Sequence, residues 1–204
     1  MRKAGAVILL LLMGLPLLSA QEEDEDPSVE IDWGDFTNDL YAPGDQIITI
    51  SLGTVFPTVF LNNGNVINHN FTPPVGGIGF LSFGYFLSSH FFVGGEIGGM
   101  FLFTLGKDTL FCTFIGARGG YQFNFWKLEF PLTAVIGMTW HSYLNHLYYG
   151  LYVKGGVAAF FRATSEWSFG LATDWSWLPE WPGNKAQNVD GNVLDIMISA
   201  RYHF

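Results

Sequence analysis

From Asp45 onward the chain alternates apolar and polar side chains, and a period of two puts alternate residues on opposite faces of a β-strand. The last segment is the clearest. Leu194, Ile196, Ile198, Ala200, Tyr202 and Phe204 share one face, while Asp195, Met197, Ser199, Arg201 and His203 share the other. A helix would smear both sets around its axis. The same reading sets Ile48, Ile50 and Leu52 against Thr49, Ser51 and Gly53, and Leu128, Phe130, Leu132, Ala134, Ile136 and Met138 against Lys127, Glu129, Pro131, Thr133, Val135 and Gly137. It also sets Tyr149, Leu151, Val153, Val157, Ala159 and Phe161 against Gly150, Tyr152, Lys154, Gly156 and Ala158, and Trp167, Phe169, Leu171, Thr173 and Trp175 against Ser168, Gly170, Ala172, Asp174 and Ser176. The pattern predicts eight strands, at about 45–57, 75–87, 91–104, 109–123, 127–140, 147–162, 166–178 and 192–204. Only the second leaves its register open, because Ile78, Phe80, Leu81 and Phe83 are apolar at both parities.

The predicted connections alternate in size. Ser88-Ser89-His90, Asn124-Phe125-Trp126 and Ala163-Thr164-Ser165 read as tight turns, whereas 58–74, 141–146 and 179–191 are longer and rich in Pro, Asn and Gly; Leu105 to Asp108 breaks the alternation by being short. A soluble barrel with an apolar interior has the same period, so alternation alone does not say which face is outside. The polar face carries mainly Gly, Ala, Ser and Thr with about one charge per strand, too few for a wet exterior and suited to the crowded inside of an eight-stranded barrel. The apolar face is thick with large residues, as a hydrocarbon-facing wall requires. Aromatics gather at the strand ends: Trp126 and Trp167 with Phe123, Phe125 and Phe161 at the short-turn end, and Trp140, Trp175 and Trp177 with Phe56 and Tyr149 at the other. Two such girdles mark the two interfaces of a bilayer.

Composition agrees. Only 13% of residues are charged, against about 25% in a soluble domain. A helical membrane protein is disfavoured although residues 46–95 contain no Asp, Glu, Lys or Arg, because Pro57, Asn62-Asn63-Gly64-Asn65 and Pro73-Pro74 interrupt any long helix. Closing eight strands removes every edge whose unpaired N–H and C=O groups lipid would not tolerate. The expected fold is an all-β, eight-stranded antiparallel up-and-down transmembrane β-barrel over residues 45–204.

The charge that remains is unevenly placed. Ten of the 18 acidic residues lie between Glu22 and Asp45, so the net charge of −9 belongs almost wholly to that stretch. No Lys and Arg cluster exists to bind nucleic acid. Arg2 and Lys3, the apolar run from Ala4 to Leu18 and the small residues at Ser19-Ala20 read as a secretory signal peptide, residues 1–20. Residues 21–44 read as a flexible acidic periplasmic segment, in which Trp33, Phe36 and Tyr41 are the side chains able to pin its end. Cys112 is the single cysteine of the sequence, so an internal disulfide cannot form.

The signal peptide, the eight alternating strands, the short turns at one end and the last strand from Asp195 to a final Phe204 together resemble the small eight-stranded outer-membrane barrels of the OmpA/OmpX/OmpW group. That resemblance implies a bacterial outer-membrane protein surrounded by outer-membrane lipid. It also implies that Ile198, Ala200, Tyr202 and Phe204 form a C-terminal signal for the outer-membrane barrel assembly machinery.

Alternation places Glu96, Arg118, Glu129, Lys154, Asp174, Asp195 and Arg201 on the inward face, four acids and three bases. Ionised groups in a narrow lumen are costly unless paired, so the set reads as a network of salt bridges and hydrogen bonds. The expected function is a narrow or closed barrel with a structural role, or porin-like transport of small hydrophobic solutes. The alternative is a cell-surface adhesin that contacts a host ligand through loops 58–74 and 179–191. His141, Ser142, Asn145 and His146 do not make a convincing catalytic or metal site, since no nearby acid orients the base and two His five apart lack further ligands. No enzyme activity, cofactor or metal is expected. Asn70-Phe71-Thr72 matches a glycosylation acceptor only by a short motif, and Gly94-Gly95-Glu96-Ile97-Gly98-Gly99 lacks phosphate-loop spacing and reads as room for close packing.

Overall fold

The computed structural model describes residues 40–62, 65–66, 76–103, 109–143, 146–180 and 188–204. Residues 1–39, which hold the expected signal peptide and nearly all of the expected acidic segment, lie outside these residues, as do Asn70-Phe71-Thr72 and parts of the two expected loops at 58–74 and 179–191. Among the described residues nine strands follow in order: β1 (Gln46–Asn62), β2 (Asn65–Val66), β3 (Gly76–Phe86), β4 (Phe91–Phe103), β5 (Thr109–Phe125), β6 (Leu128–Tyr143), β7 (His146–Arg162), β8 (Trp167–Glu180) and β9 (Val189–His203). Each long strand pairs antiparallel with the next, and β1 pairs with β9, so eight strands close into an up-and-down barrel; β2 is a two-residue stub on the far end of β1.

The stagger of the barrel can be read from its register. Directly paired positions run from Ile47 through Gly84, Gly94, Arg118, Val135, Lys154, Ser176 and Val193, and return to β1 at Pro57, ten residues beyond the start. With eight strands, such a shift tilts them by about 40° to the barrel axis. Every position on that path faces inward, because a shift by an even number preserves the side-chain parity.

Burial follows the alternation. On β3 the inward side chains are Ile78, Phe80, Ser82, Gly84 and Phe86, with Leu81, Phe83 and Tyr85 outside, which fixes the register that its sequence leaves open. Apolar residues occur on both faces there because the half of the lumen farthest from the short turns is itself apolar. The outer wall carries exposed Ile50, Leu52, Ile97, Ile136, Leu171 and Ile198, the last with 71% of its surface free. A continuous apolar belt of this kind is far larger than a soluble monomer leaves open to water, and it is the face that hydrocarbon covers.

The strands run further than the sequence predicts, and proline is the reason. β1 passes through Pro57 to Asn62, and β8 through Pro179 to Glu180. Between Val55 and Leu61, where the β2 stub begins to pair, β1 pairs only with β9, and past Trp177, β8 pairs only with β9. Each proline therefore sits where one flank of its strand has no partner, and its missing N–H breaks no ladder. The connection at 141–146 is likewise not a long loop, since β6 reaches Tyr143 and β7 begins at His146. At the opposite end the turn shifts from Asn124-Phe125-Trp126 to Trp126–Lys127, with Phe125 paired to Leu128.

Candidate functional site

The lumen holds nearly all the buried charge, in two tiers beneath an apolar one. The first lies at the short-turn end, which in such barrels is the periplasmic side. Glu129, at the start of β6, is fully buried and accepts hydrogen bonds from Arg201 Nη1 at 2.9 Å, Tyr41 Oη at 2.6 Å and Ser168 Oγ at 3.0 Å. Arg162 Nε and His203 Nε2 stand 3.9 Å and 3.8 Å from the same carboxylate. Arg201, also without exposure, reaches Gln122 at 3.2 Å and lies over the Phe160 ring at 4.0 Å. Several donors converging on one carboxylate compensate much of the cost of taking it out of water.

Tyr41 is the surprise of this tier. It precedes β1 yet is 3% exposed, stacked on Phe86 with ring centroids 4.0 Å apart and packed in a cluster with Ile47, Phe86 and Phe92. Its hydroxyl bridges Glu129 and His203 Nδ1, the latter at 3.2 Å. Burial lifts its phenol well above the usual range, and the neighbouring Glu129 adds to the rise while Arg201 opposes it. Residues 40–42 thus close the mouth of the barrel with an uncharged donor.

The second tier lies deeper. Lys154 Nζ is 2.6 Å from Glu96 Oε1 and 3.2 Å from Asp174 Oδ2, and it sits 3.7 Å from the centre of the Phe80 ring. Tyr152 donates to Glu96 at 2.9 Å. Asp195 faces Asp174 across the β8–β9 ladder and takes the Asp174 backbone N–H at 3.2 Å. Arg118 donates to Ser82 and approaches the Phe92 ring at 5.8 Å. Two glycines make this tier possible: a Cβ on Gly156 would land on the Asp174 carboxylate, and one on Gly98 would strike the Phe80 ring. Beyond the charges, Val55, Met100, Leu102, Cys112, Phe114 and Leu178 fill the lumen with apolar side chains.

Between the two charge tiers the described residues leave little space. A polar cavity between the tiers, bordered by Ser51, Ser82, Arg118, Lys154 and Ser199, measures about 20 Å³, room for about one water molecule. Ser51 and Ser199 are hydrogen-bonded across it at 2.7 Å.

All seven sequence-selected charges lie in this lumen, Glu129 and Arg201 in the first tier and Glu96, Arg118, Lys154, Asp174 and Asp195 in the second. Sequence reasoning missed Arg162, Ser168 and His203 as members, and named Tyr41 only as a side chain able to pin the end of the acidic segment. For the first three the signal was available, since the inward parity of β7, β8 and β9 carries through Arg162, Ser168 and His203; for Tyr41, outside any strand, periodicity gives none. Trp126, Trp167, Tyr202 and Phe204 gather at the short-turn end, where Trp167 and Tyr202 rings are 5.0 Å apart, and Trp140, Trp175 and Trp177 lie toward the other end. Ile198, Ala200, Tyr202 and Phe204 line the outer face of β9, with Ile198 and Phe204 exposed. The side chains of His141, Ser142, Asn145 and His146 are outside the description. Among the described residues, no group of three or more His, Cys, Asp or Glu is placed to hold a metal ion.

A protein-family model matches residues 22–202. Two uncharacterized proteins of Treponema pallidum (strain Nichols) are similar in sequence. One is 32% identical over 65 residues, 32% of this chain and 22% of that protein; the other is 24% identical over 172 residues, 79% of this chain and 78% of that protein. Among solved structures, Neisserial surface protein A superposes with a TM-score of 0.62 at 9% identity, over 79% of this chain and 99% of that one. The likeness is one of fold, that of a small transmembrane outer-membrane barrel.

Proposed function

For a chain that belongs to the family matched over residues 22–202 and crosses the outer membrane as a closed eight-stranded barrel, we propose a structural, non-enzymatic role in which the lumen seals itself. The observation that carries this reading is the stacking of two paired charge tiers beneath an apolar tier, with about 20 Å³ left between the charges. That packing favours a plug over a conduit for hydrophobic solutes. Glu96, Arg118, Glu129, Lys154, Asp174, Asp195 and Arg201 act as the lumen network that holds the strands in register. Refolded into a planar bilayer, the protein is expected to give no stable unitary conductance. Steady channels whose size changed in Glu129→Gln or Lys154→Met would overturn the reading.

A second reading, contact with a host ligand through 58–74 and 179–191, is favoured by one observation. β1 and β9 stay paired out to Asn62 and Val189, seven residues past the last β1–β3 pair at Val55, and leave Thr58, Val59 and Val66 exposed. If this rim is a recognition surface, deleting 63–75 abolishes binding of the protein to host matrix while the barrel keeps its heat-modifiable migration on a gel. Equal binding after the deletion removes the reading. Ile198, Ala200, Tyr202 and Phe204 are assigned to recognition by the barrel assembly machinery; replacing Phe204 with Ser should slow insertion in cells without altering refolding into pure lipid.

A further inference from the structure

The lipid-facing wall is not uniform. Between β5 and β9 it carries a groove of about 530 Å³ that runs obliquely across five strands, from Phe123 and Phe130 near the short turns, past Ala159, Leu171 and Thr173, to Ile196 at the middle of β9. Its depth has two causes in the sequence. Ala159 and Thr173 are short side chains set among large ones. In addition, β6–β7 pairing lapses on its floor: Glu129 pairs with Phe160 and Leu132 with Val157, but no pair joins Phe130 to Ala159 or Pro131 to Ala158. Pro131 brings no N–H to that ladder.

The groove begins at the periplasmic aromatic girdle and ends near the middle of the wall. That is the depth range of one acyl chain in the periplasm-facing leaflet. Its lining is almost wholly apolar, so a headgroup has no place inside it. The cation nearest to Phe130 of its lining in sequence is Lys127. Lys127, in the Trp126–Lys127 turn three residues before Phe130, lies with its ammonium group 5.5 Å from the centre of the Trp126 ring, and its carbonyl is held by the Arg162 N–H at 2.8 Å. A basic residue beside an interfacial tryptophan suits a lipid phosphate.

We propose that this groove is a binding site for one phospholipid of the periplasm-facing leaflet, its acyl chain seated from Phe130 across Ala159 to Ile196 and its phosphate against Lys127. A chain lying in the depression makes contacts on three sides, where a chain on the plain wall makes them on one, and dispersion attraction scales with those contacts. The inference rests on the transmembrane fold and is independent of whether the lumen is closed.

The test uses the full barrel refolded into vesicles of phosphatidylcholine and phosphatidylglycerol. Each lipid is supplied in turn with a trace of a copy bearing a photoactivatable diazirine at mid-chain, and adducts are mapped by peptide mass spectrometry. The expected result is a several-fold excess of adducts on segments 157–159 and 171–173 over segments of similar depth on β3 and β4. Ala159→Phe, which fills the groove, should remove the excess, and Leu81→Phe, on β3 across the barrel from β7, should not. Lys127→Gln should lower the labelling by phosphatidylglycerol more than that by phosphatidylcholine. Should Ala159→Phe lose heat-modifiable migration, Thr173→Leu takes its place as the filling variant. Labelling spread evenly around the barrel, or an excess that survives filling, would overturn the proposal. So would protein–protein cross-links through Ala159 and Leu171, which would assign the groove to a second copy of the chain.

Discussion

Glu129 and Tyr41 make a pair whose two halves have different sensitivities. Glu129→Gln would remove the charge that Arg201 faces at 2.9 Å while leaving the guanidinium buried, which costs about 3–5 kcal/mol. Replacing both partners, as Glu129→Leu with Arg201→Met, should cost less than Glu129→Leu alone, because the Arg201 guanidinium is then not left buried and unpaired. Urea unfolding of the barrel in detergent, compared across the three variants, measures this. Tyr41→Phe keeps the stack on Phe86 and loses only the hydroxyl, an expected loss of about 1–3 kcal/mol since the bond ends on a charged group. Burial raises the Tyr41 phenol above its free value of about 10, so its contribution is complete below about pH 10 and is lost as pH rises toward the folded value. Wild-type stability should therefore fall relative to Tyr41→Phe only above about pH 10. Trp126 illustrates another balance at this scale. It holds φ at 54° where glycine would be relaxed, a cost of about 1–2 kcal/mol, and it presents an indole to the interface in return.

At the scale of the strand, proline and glycine decide where pairing stops and where charge fits. Pro131→Val would give β6 back an N–H opposite Ala158. The expected outcome is slower amide exchange at residues 158–159 and about 1 kcal/mol of added stability. Gly156→Ala should do the reverse in the lumen, since its methyl would occupy the place of the Asp174 carboxylate and push it off Lys154; a lower urea midpoint is the readout. These residues also mark how far the sequence could be read. Parity alone carried the eight strands, the outer wall and all seven lumen charges, because the two-residue period is a local property that closure does not alter. It failed at Pro57 and Pro179, where whether proline breaks a strand depends on which neighbour that strand has, and this is settled only by the whole sheet. It failed at Tyr41 for a related reason: a side chain that enters the barrel from outside any strand leaves no periodic trace.

For the whole molecule, the shift of ten positions over eight strands fixes both the tilt and the bore, and the residues inside then have to fit that bore. Large inward groups such as Phe80, Phe92, Phe114 and Tyr152 are accommodated beside inward glycines on neighbouring strands, which is how a small barrel is filled without an open channel. Removing bulk without removing charge is the direct check. Phe80→Ala with Phe114→Ala should enlarge the lumen above the Lys154 tier, lower stability and admit brief, low-conductance openings in a planar bilayer. If the bilayer stays silent, the charge tiers alone are enough to seal it.

The contact of Tyr41 also has a kinetic meaning. Its partners Glu129 and His203 lie 88 and 162 residues away in sequence, on β6 and β9, so the socket does not exist until the first and last strands have met. Docking of Tyr41 is then among the last events of folding, and a contact absent from the transition state changes how fast the barrel opens more than how fast it forms. Tyr41→Phe should raise the unfolding rate and leave the refolding rate nearly unchanged. The ring that closes the mouth would in that way act as a timer, recording that the barrel has been completed and slowing its reopening.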